Sequence, residues 1–111
     1  MARAFNLKTI IGDTGSAVTA AGTTQGTATS LPAGIVAVGT VTSSAQGVIL
    51  RAQGPGTMSV VSNEDSVEDL KVYPWSGASL NGATANLPLV LPTKMAAIFV
   101  EITSTKIACI S

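Results

Sequence analysis

Histidine is missing from all 111 residues, and cysteine occurs once, at Cys109. The first absence removes the commonest general base, the commonest metal ligand and every Ser–His or Cys–His nucleophile pairing. The second excludes an internal disulfide, and the apolar run Lys106-Ile-Ala-Cys-Ile110 predicts a buried, inert thiol. Charged residues make up only 11% of the chain, against about 25% in an ordinary soluble domain, and six basic side chains cancel six acidic ones. Arg3, Lys8, Arg51, Lys71, Lys94 and Lys106 stand singly, so no cluster exists to release counterions from a nucleic acid. No apolar run approaches the roughly 18 residues that span a bilayer, and no continuous apolar stretch precedes Lys8 to read as a secretory signal. Gly54-Pro-Gly-Thr57 is glycine-rich, but no Gly-Lys-Ser/Thr follows it, and a turn is expected there instead of a phosphate loop. The expectation is a chain with no catalytic residues, cofactor or metal, and with neither nucleic acid nor membrane as a partner.

Aromatic residues are also scarce, at 4%, so the interior must be filled with Val, Ile, Leu and Ala. A chain of this length buries only about 65% of its unfolded surface. Each buried aliphatic side chain contributes roughly 1.5–3 kcal/mol, against about 1–2 kcal/mol per residue to order the backbone. A thin core and a surface with almost no charge favour self-association, which predicts an oligomer whose surface is largely covered by partner subunits.

What the chain does have is a succession of short β-branched runs bounded by Gly, Pro, Asn and Ser, with almost no helical periodicity. Strands are expected over residues 5–11, 24–30, 35–42, 48–52, 57–62, 70–73, 95–103 and 106–110. This predicts an all-β domain, a β-sandwich or jelly-roll-like barrel of about eight strands. Alternation puts Val36 and Val38 on one face, and Ala96, Ile98, Val100 and Ile102 on one face, and both faces are expected to look inward. Ile35-Val-Ala-Val38 and Ile98-Phe-Val100 are apolar on both faces, which implies a neighbour on the far side. Turns are expected at Leu31-Pro-Ala-Gly34, Gly54-Pro-Gly56, Pro74-Trp-Ser-Gly77 and, most strongly, Asn81-Gly82.

Two segments break this rhythm. Residues 1–21 read as an extended N-terminal arm followed by a tether, with the domain proper in 22–111. Phe5, Leu7 and Ile11 form an apolar stripe on one side of the arm, which either pairs with a neighbouring chain or is the first strand of its own sheet. In Leu87-Pro-Leu-Val-Leu-Pro92 two prolines hold four aliphatics extended, as an edge strand or as a docking strip that includes Leu87 and Leu89. The acidic cluster Asn63-Glu-Asp-Ser-Val-Glu-Asp69 lacks the spacing of a calcium loop and reads as a solvated turn, with Ser62 as an N-cap and Asp65 closing a capping box. Tyr73 and Trp75 flank Pro74, where a ring can stack on a sugar or a protein partner or can plug the end of the fold.

An ordered series of short motifs runs from Gly22 to the end: Thr24-Gln-Gly-Thr-Ala-Thr-Ser-Leu31, Gly47-Val-Ile-Leu-Arg-Ala52, Gly56-Thr-Met-Ser-Val-Val-Ser-Asn63, Leu70-Lys-Val-Tyr-Pro74, Gly77-Ala-Ser-Leu-Asn-Gly82 and Leu91-Pro-Thr-Lys-Met-Ala-Ala-Ile-Phe-Val100. In this the chain resembles small β-domains of tailed-bacteriophage virion proteins, departing in the acidic insertion after Asn63, in Thr93 where a glycine is expected and in Ile107 where an aromatic is usual. The resemblance implies a virion structural protein made in the host cytoplasm. Its expected role is a capsid decoration or cement protein on the outside of the shell, bound to the major capsid protein or other virion subunits as a homo-oligomer, with a trimer favoured. Tail, fibre or baseplate subunits, and a carbohydrate-binding β-module built on Tyr73 and Trp75, are the alternatives.

Overall fold

A computed structural model describes residues 18–31 and 34–110. The described chain is all-β, with two sheets built from β1 (Val18–Thr19), β2 (Thr29–Ser30), β3 (Ile35–Thr40), β4 (Gly47–Ile49), β5 (Met58–Asn63), β6 (Leu70–Tyr73), β7 (Ser79–Leu80), β8 (Leu89–Leu91), β9 (Ala96–Thr103) and β10 (Lys106–Ile110). One sheet has six strands in the order β1-β3-β5-β9-β10-β7, and the other has four in the order β2-β4-β6-β8. Both contribute to one apolar core, in which Val36, Val61 and Phe99 from the larger sheet meet Val48, Val72 and Leu91 from the smaller.

The chain winds alternately through the two sheets, and each circuit stacks in parallel on the last. Val18 pairs with Val38 and Ile35 with Val60 in one sheet, while Thr29 pairs with Val48 and Gly47 with Lys71 in the other. Among the described residues five of the eight pairings are parallel, and a jelly roll would make them antiparallel. The antiparallel pairs are β5 with β9, β9 with β10 and β6 with β8. The winding explains why strands read off individually did not disclose their connectivity. A run covered on both faces suits a parallel sheet, and each return of the chain lies about 19–25 residues on, too far for turn chemistry to set the register.

Three local expectations are corrected. Val18–Thr19, placed in the tether, is a strand of the six-stranded sheet, and Ala20 beside it belongs to the core. Residues 25–27, placed in a strand, form a single 3-10 turn, closed by contacts between Thr24 and Thr27. In β9 the inward residues are Ala97, Phe99 and Glu101, not Ala96, Ile98, Val100 and Ile102. Alternation alone left both faces of β9 available to the core. The ring of Phe99 decides between them by volume, and Glu101 is tolerated inside because the backbone N–H groups of Gln53 and Gly54 both donate to its Oε1 at 3.0 Å. Phe5, Leu7 and Ile11 lie outside the described residues.

Candidate interaction surface

The inversion of β9 turns its aliphatic side outward, and the register of the sheet extends that side into an array. Ile35 lies beside Val60, Val60 beside Ile98 and Ile98 beside Ile110, a single row across four strands. Met58, Val100 and Ala108 form the next row. Inward neighbours fix the assignment: Val36, Val61 and Ala97, one residue along from the first row, pair in register and are buried, as is Phe99 between the two rows. Ile110 is 65% exposed and Ile102, further along β9, 53%. Neither row contains a charged side chain. Ile35, Met58, Val60, Ile98, Val100 and Ala108 are half-buried, so the two rows form a partly exposed apolar strip of the kind that marks interaction sites.

The opposite sheet does not present such a face. Tyr73, at the end of β6, is buried under the chain's own 22–28 segment and its hydroxyl donates to Thr23 O at 3.4 Å. Gln25 pins that segment, donating from Nε2 to Pro74 O at 2.8 Å and to Asn86 Oδ1 at 3.1 Å. Trp75 is half-buried against the core, in a shallow pocket with Leu50, Thr57, Phe99 and Ile107, and its Nε1 donates to Ser104 O at 2.8 Å. Both rings pack on their own domain: Tyr73 is buried on one face and Trp75 lines a small pocket beside Phe99. A two-ring stacking platform is not formed.

Residues 87–92 supply an edge strand. Leu91 and Leu89 turn toward the core, while Leu87 and Val90 are about half exposed at the rim of the four-stranded sheet. The acidic segment 63–69 contains no helical turn, so Ser62 caps nothing. Asn63, fully buried, donates from Nδ2 to Glu68 O and Leu91 O and accepts the N–H of Asp65. The Asp65 carboxylate accepts the N–H groups of Val67 (2.9 Å), Glu68 (2.8 Å) and Val41 (3.3 Å), which hold it below the ordinary carboxylate range. Its oxygens are thus spent on backbone donors. Cys109 is partly and not fully buried, and this partial burial raises its thiol above the usual range, consistent with an unreactive position.

The outward array on β3, β5, β9 and β10 was foreshadowed in the sequence only by runs apolar on both faces. Which face of β9 turns outward could be read only from the buried Phe99 and Glu101. No protein-family model, curated protein or solved structure matches the chain.

Proposed function

We propose that this chain is a non-catalytic assembly protein, a bacteriophage virion component of the decoration or cement type. In this reading it binds the formed shell and bridges neighbouring subunits from the capsid exterior as a homo-oligomer. The observation that carries the reading is the outward row Ile35, Val60, Ile98 and Ile110, an uncharged, partly exposed apolar strip on the larger sheet. A monomeric protein would leave that face in water at a cost of about 25 cal/mol per Å² of apolar surface, whereas a scaffold protein buries it in every copy. The sequence motifs supply the virion context, and the trimer follows from that resemblance. The domain itself is read as a short solenoid-like stack of parallel turns, closed at its C-terminal end by the antiparallel strands β8, β9 and β10, in place of a jelly-roll barrel.

Light scattering on the wild type and on Ile98→Lys tests the face directly. The wild type is expected to be oligomeric at micromolar concentration, and the variant, with a cation in the middle of the row, to be a folded monomer. A wild-type monomer that stays soluble would remove the argument from the apolar face. Counting copies in purified particles then separates shell from tail, since a shell component is present in hundreds and a tail subunit in far fewer.

A further inference from the structure

We infer that the Asn81-Gly82 turn is a site of covalent modification, an intrachain deamidation that the contact with β10 holds in check and that undoes this contact once it occurs. An asparagine followed by glycine is chemically disposed to the reaction, because glycine places no side chain in the way of its own amide nitrogen. Both residues are exposed, and nothing lies within 4 Å of where a Cβ on Gly82 would stand, so water reaches the turn. Among the described residues the Gly82 N–H donates to no protein group, which leaves its nitrogen available as the nucleophile.

Water is the only co-reactant. The Gly82 nitrogen attacks Asn81 Cγ and gives up its proton; a C–N bond forms and closes a succinimide ring, the Cγ–Nδ2 bond breaks, and Nδ2 leaves as ammonia with that proton. Water then opens the ring. Addition at the former side-chain carbonyl leaves aspartate, and addition at the main-chain carbonyl leaves isoaspartate, in which the main chain runs through Cγ. Nothing is oxidised or reduced.

The fold sets the rate. Asn81 and Gly82 have φ 50° and 76°, and the Ala83 N–H donates to Leu80 O at 2.9 Å, a tight turn with both central residues left-handed. The Asn81 N–H donates to Ile107 O at 2.8 Å and so extends the pairing of β7 with β10. Beyond it the side chain takes over, with Nδ2 donating to Cys109 O at 2.9 Å and Oδ1 accepting the Cys109 N–H at 2.8 Å. Ring closure must swing Cγ off β10 and onto the Gly82 nitrogen, and both bonds break first. Two such bonds slow the reaction by at least about tenfold.

The same two bonds are what the reaction destroys. Aspartate presents an acceptor where Nδ2 donated, against the Cys109 carbonyl oxygen, and isoaspartate has no side-chain amide. Neither product restores the bond to Cys109 O. The site is therefore closed while β10 is docked and open when it is not, and conversion weakens every later docking. The inference does not depend on the proposed function.

Peptide mass spectrometry on the full chain at mildly alkaline pH follows conversion at Asn81 in native buffer, in urea and in the variant Cys109→Pro. Cys109 spends its N–H and its carbonyl on Asn81, so its neighbours Ala108 and Ile110 carry the ladder to β9, and an edge position of this kind tolerates proline. Conversion is expected to be at least about tenfold slower in the folded wild type than in urea, and several times faster in Cys109→Pro than in the wild type, with exchange protection at Val61 and Phe99 retained. Amide exchange on the isolated isoaspartyl product needs no variant: protection at Cys109 should fall by at least about tenfold while Val61 keeps its own. The inference is overturned if the wild type converts as fast folded as in urea, or if Cys109→Pro with Val61 still protected converts no faster than the wild type. Full protection at Cys109 in the isoaspartyl product would also overturn it.

Discussion

Asn81 and Cys109 are tied in both directions: Asn81 Nδ2 donates to Cys109 O at 2.9 Å, and the Cys109 N–H donates to Asn81 Oδ1 at 2.8 Å. The side-chain amide thereby imitates one more strand residue beside β10, where β7 has already ended. Asn81 holds this position at φ 50°, in the left-handed region that asparagine tolerates better than most residues.

Replacing Asn81 separates the two roles. Asn81→Gly keeps the backbone conformation and loses both bonds, with an expected cost of about 1–2 kcal/mol in urea denaturation. Asn81→Ala adds the penalty of a left-handed alanine and should be the less stable of the two by about 1 kcal/mol. Equal midpoints for the two variants would show that the backbone angle contributes nothing.

Gly47 has no room for a side chain: a Cβ there would stand 2.5 Å from Lys71 O and 2.9 Å from Tyr73 Cε2. Gly47→Ala is expected to cost about 1–3 kcal/mol through overpacking. A double-mutant cycle with Tyr73→Leu should return part of that cost, because one of the two obstructing groups is then gone. Strict additivity would place the whole clash on the Lys71 carbonyl.

Asp65 gives the 64–69 loop a dependence on acid. Its carboxyl is held below the usual range chiefly by the N–H groups of Glu68 and Val67, so its contribution is complete at neutral pH and is lost as pH falls through that lowered value. The protection factors of the Val67 and Glu68 amides, measured against the intrinsic exchange rate at each pH, should fall on acidification in the wild type. In Asp65→Asn the protection should already be low at neutral pH and should not show this step.

Trp75 distinguishes a residue that supports its own domain from one that anchors a partner. Its ring lies against the core and its Nε1 on Ser104 O, so Trp75→Phe should cost about 1 kcal/mol and Trp75→Ala about 2–3 kcal/mol in the unfolding of dilute protein. A loss of assembly with unchanged unfolding would instead make it an interface anchor.

The sequence made strands legible wherever β-branched runs were long: β3, β5, β6, β9 and β10 fall within two residues of where periodicity put them. It missed Val18–Thr19 and Ser79–Leu80, two-residue strands whose pairing is set by partners 20 or more residues away and not by their own composition. Asn81-Gly82 does form a turn, closed by the Ala83 N–H on Leu80 O, but the strands on either side of it belong to different sheets and make no hairpin. Similarly, the left-handed residue of the Thr93-Lys94 turn is Lys94, whose Nζ reaches Glu64 O, a compensation that glycine could not offer. The candidate surface stayed hidden for a different reason. Ile98 and Phe99 are both apolar, and only the volume left between the sheets decides which of them faces in.

The position of β9 sets the order in which the molecule can be built. It lies between β5 and β10 and joins residues 58–62 to 96–100, so the middle of the larger sheet is among the last parts to leave the ribosome. β7 waits longer still, since its partner β10 begins at Lys106. At roughly 5–20 residues per second, several seconds separate the synthesis of β5 from that of its neighbour. Throughout that interval the Met58–Asn63 strand offers an unpaired, largely apolar edge, and any nascent chain that stalls before residue 96 keeps it.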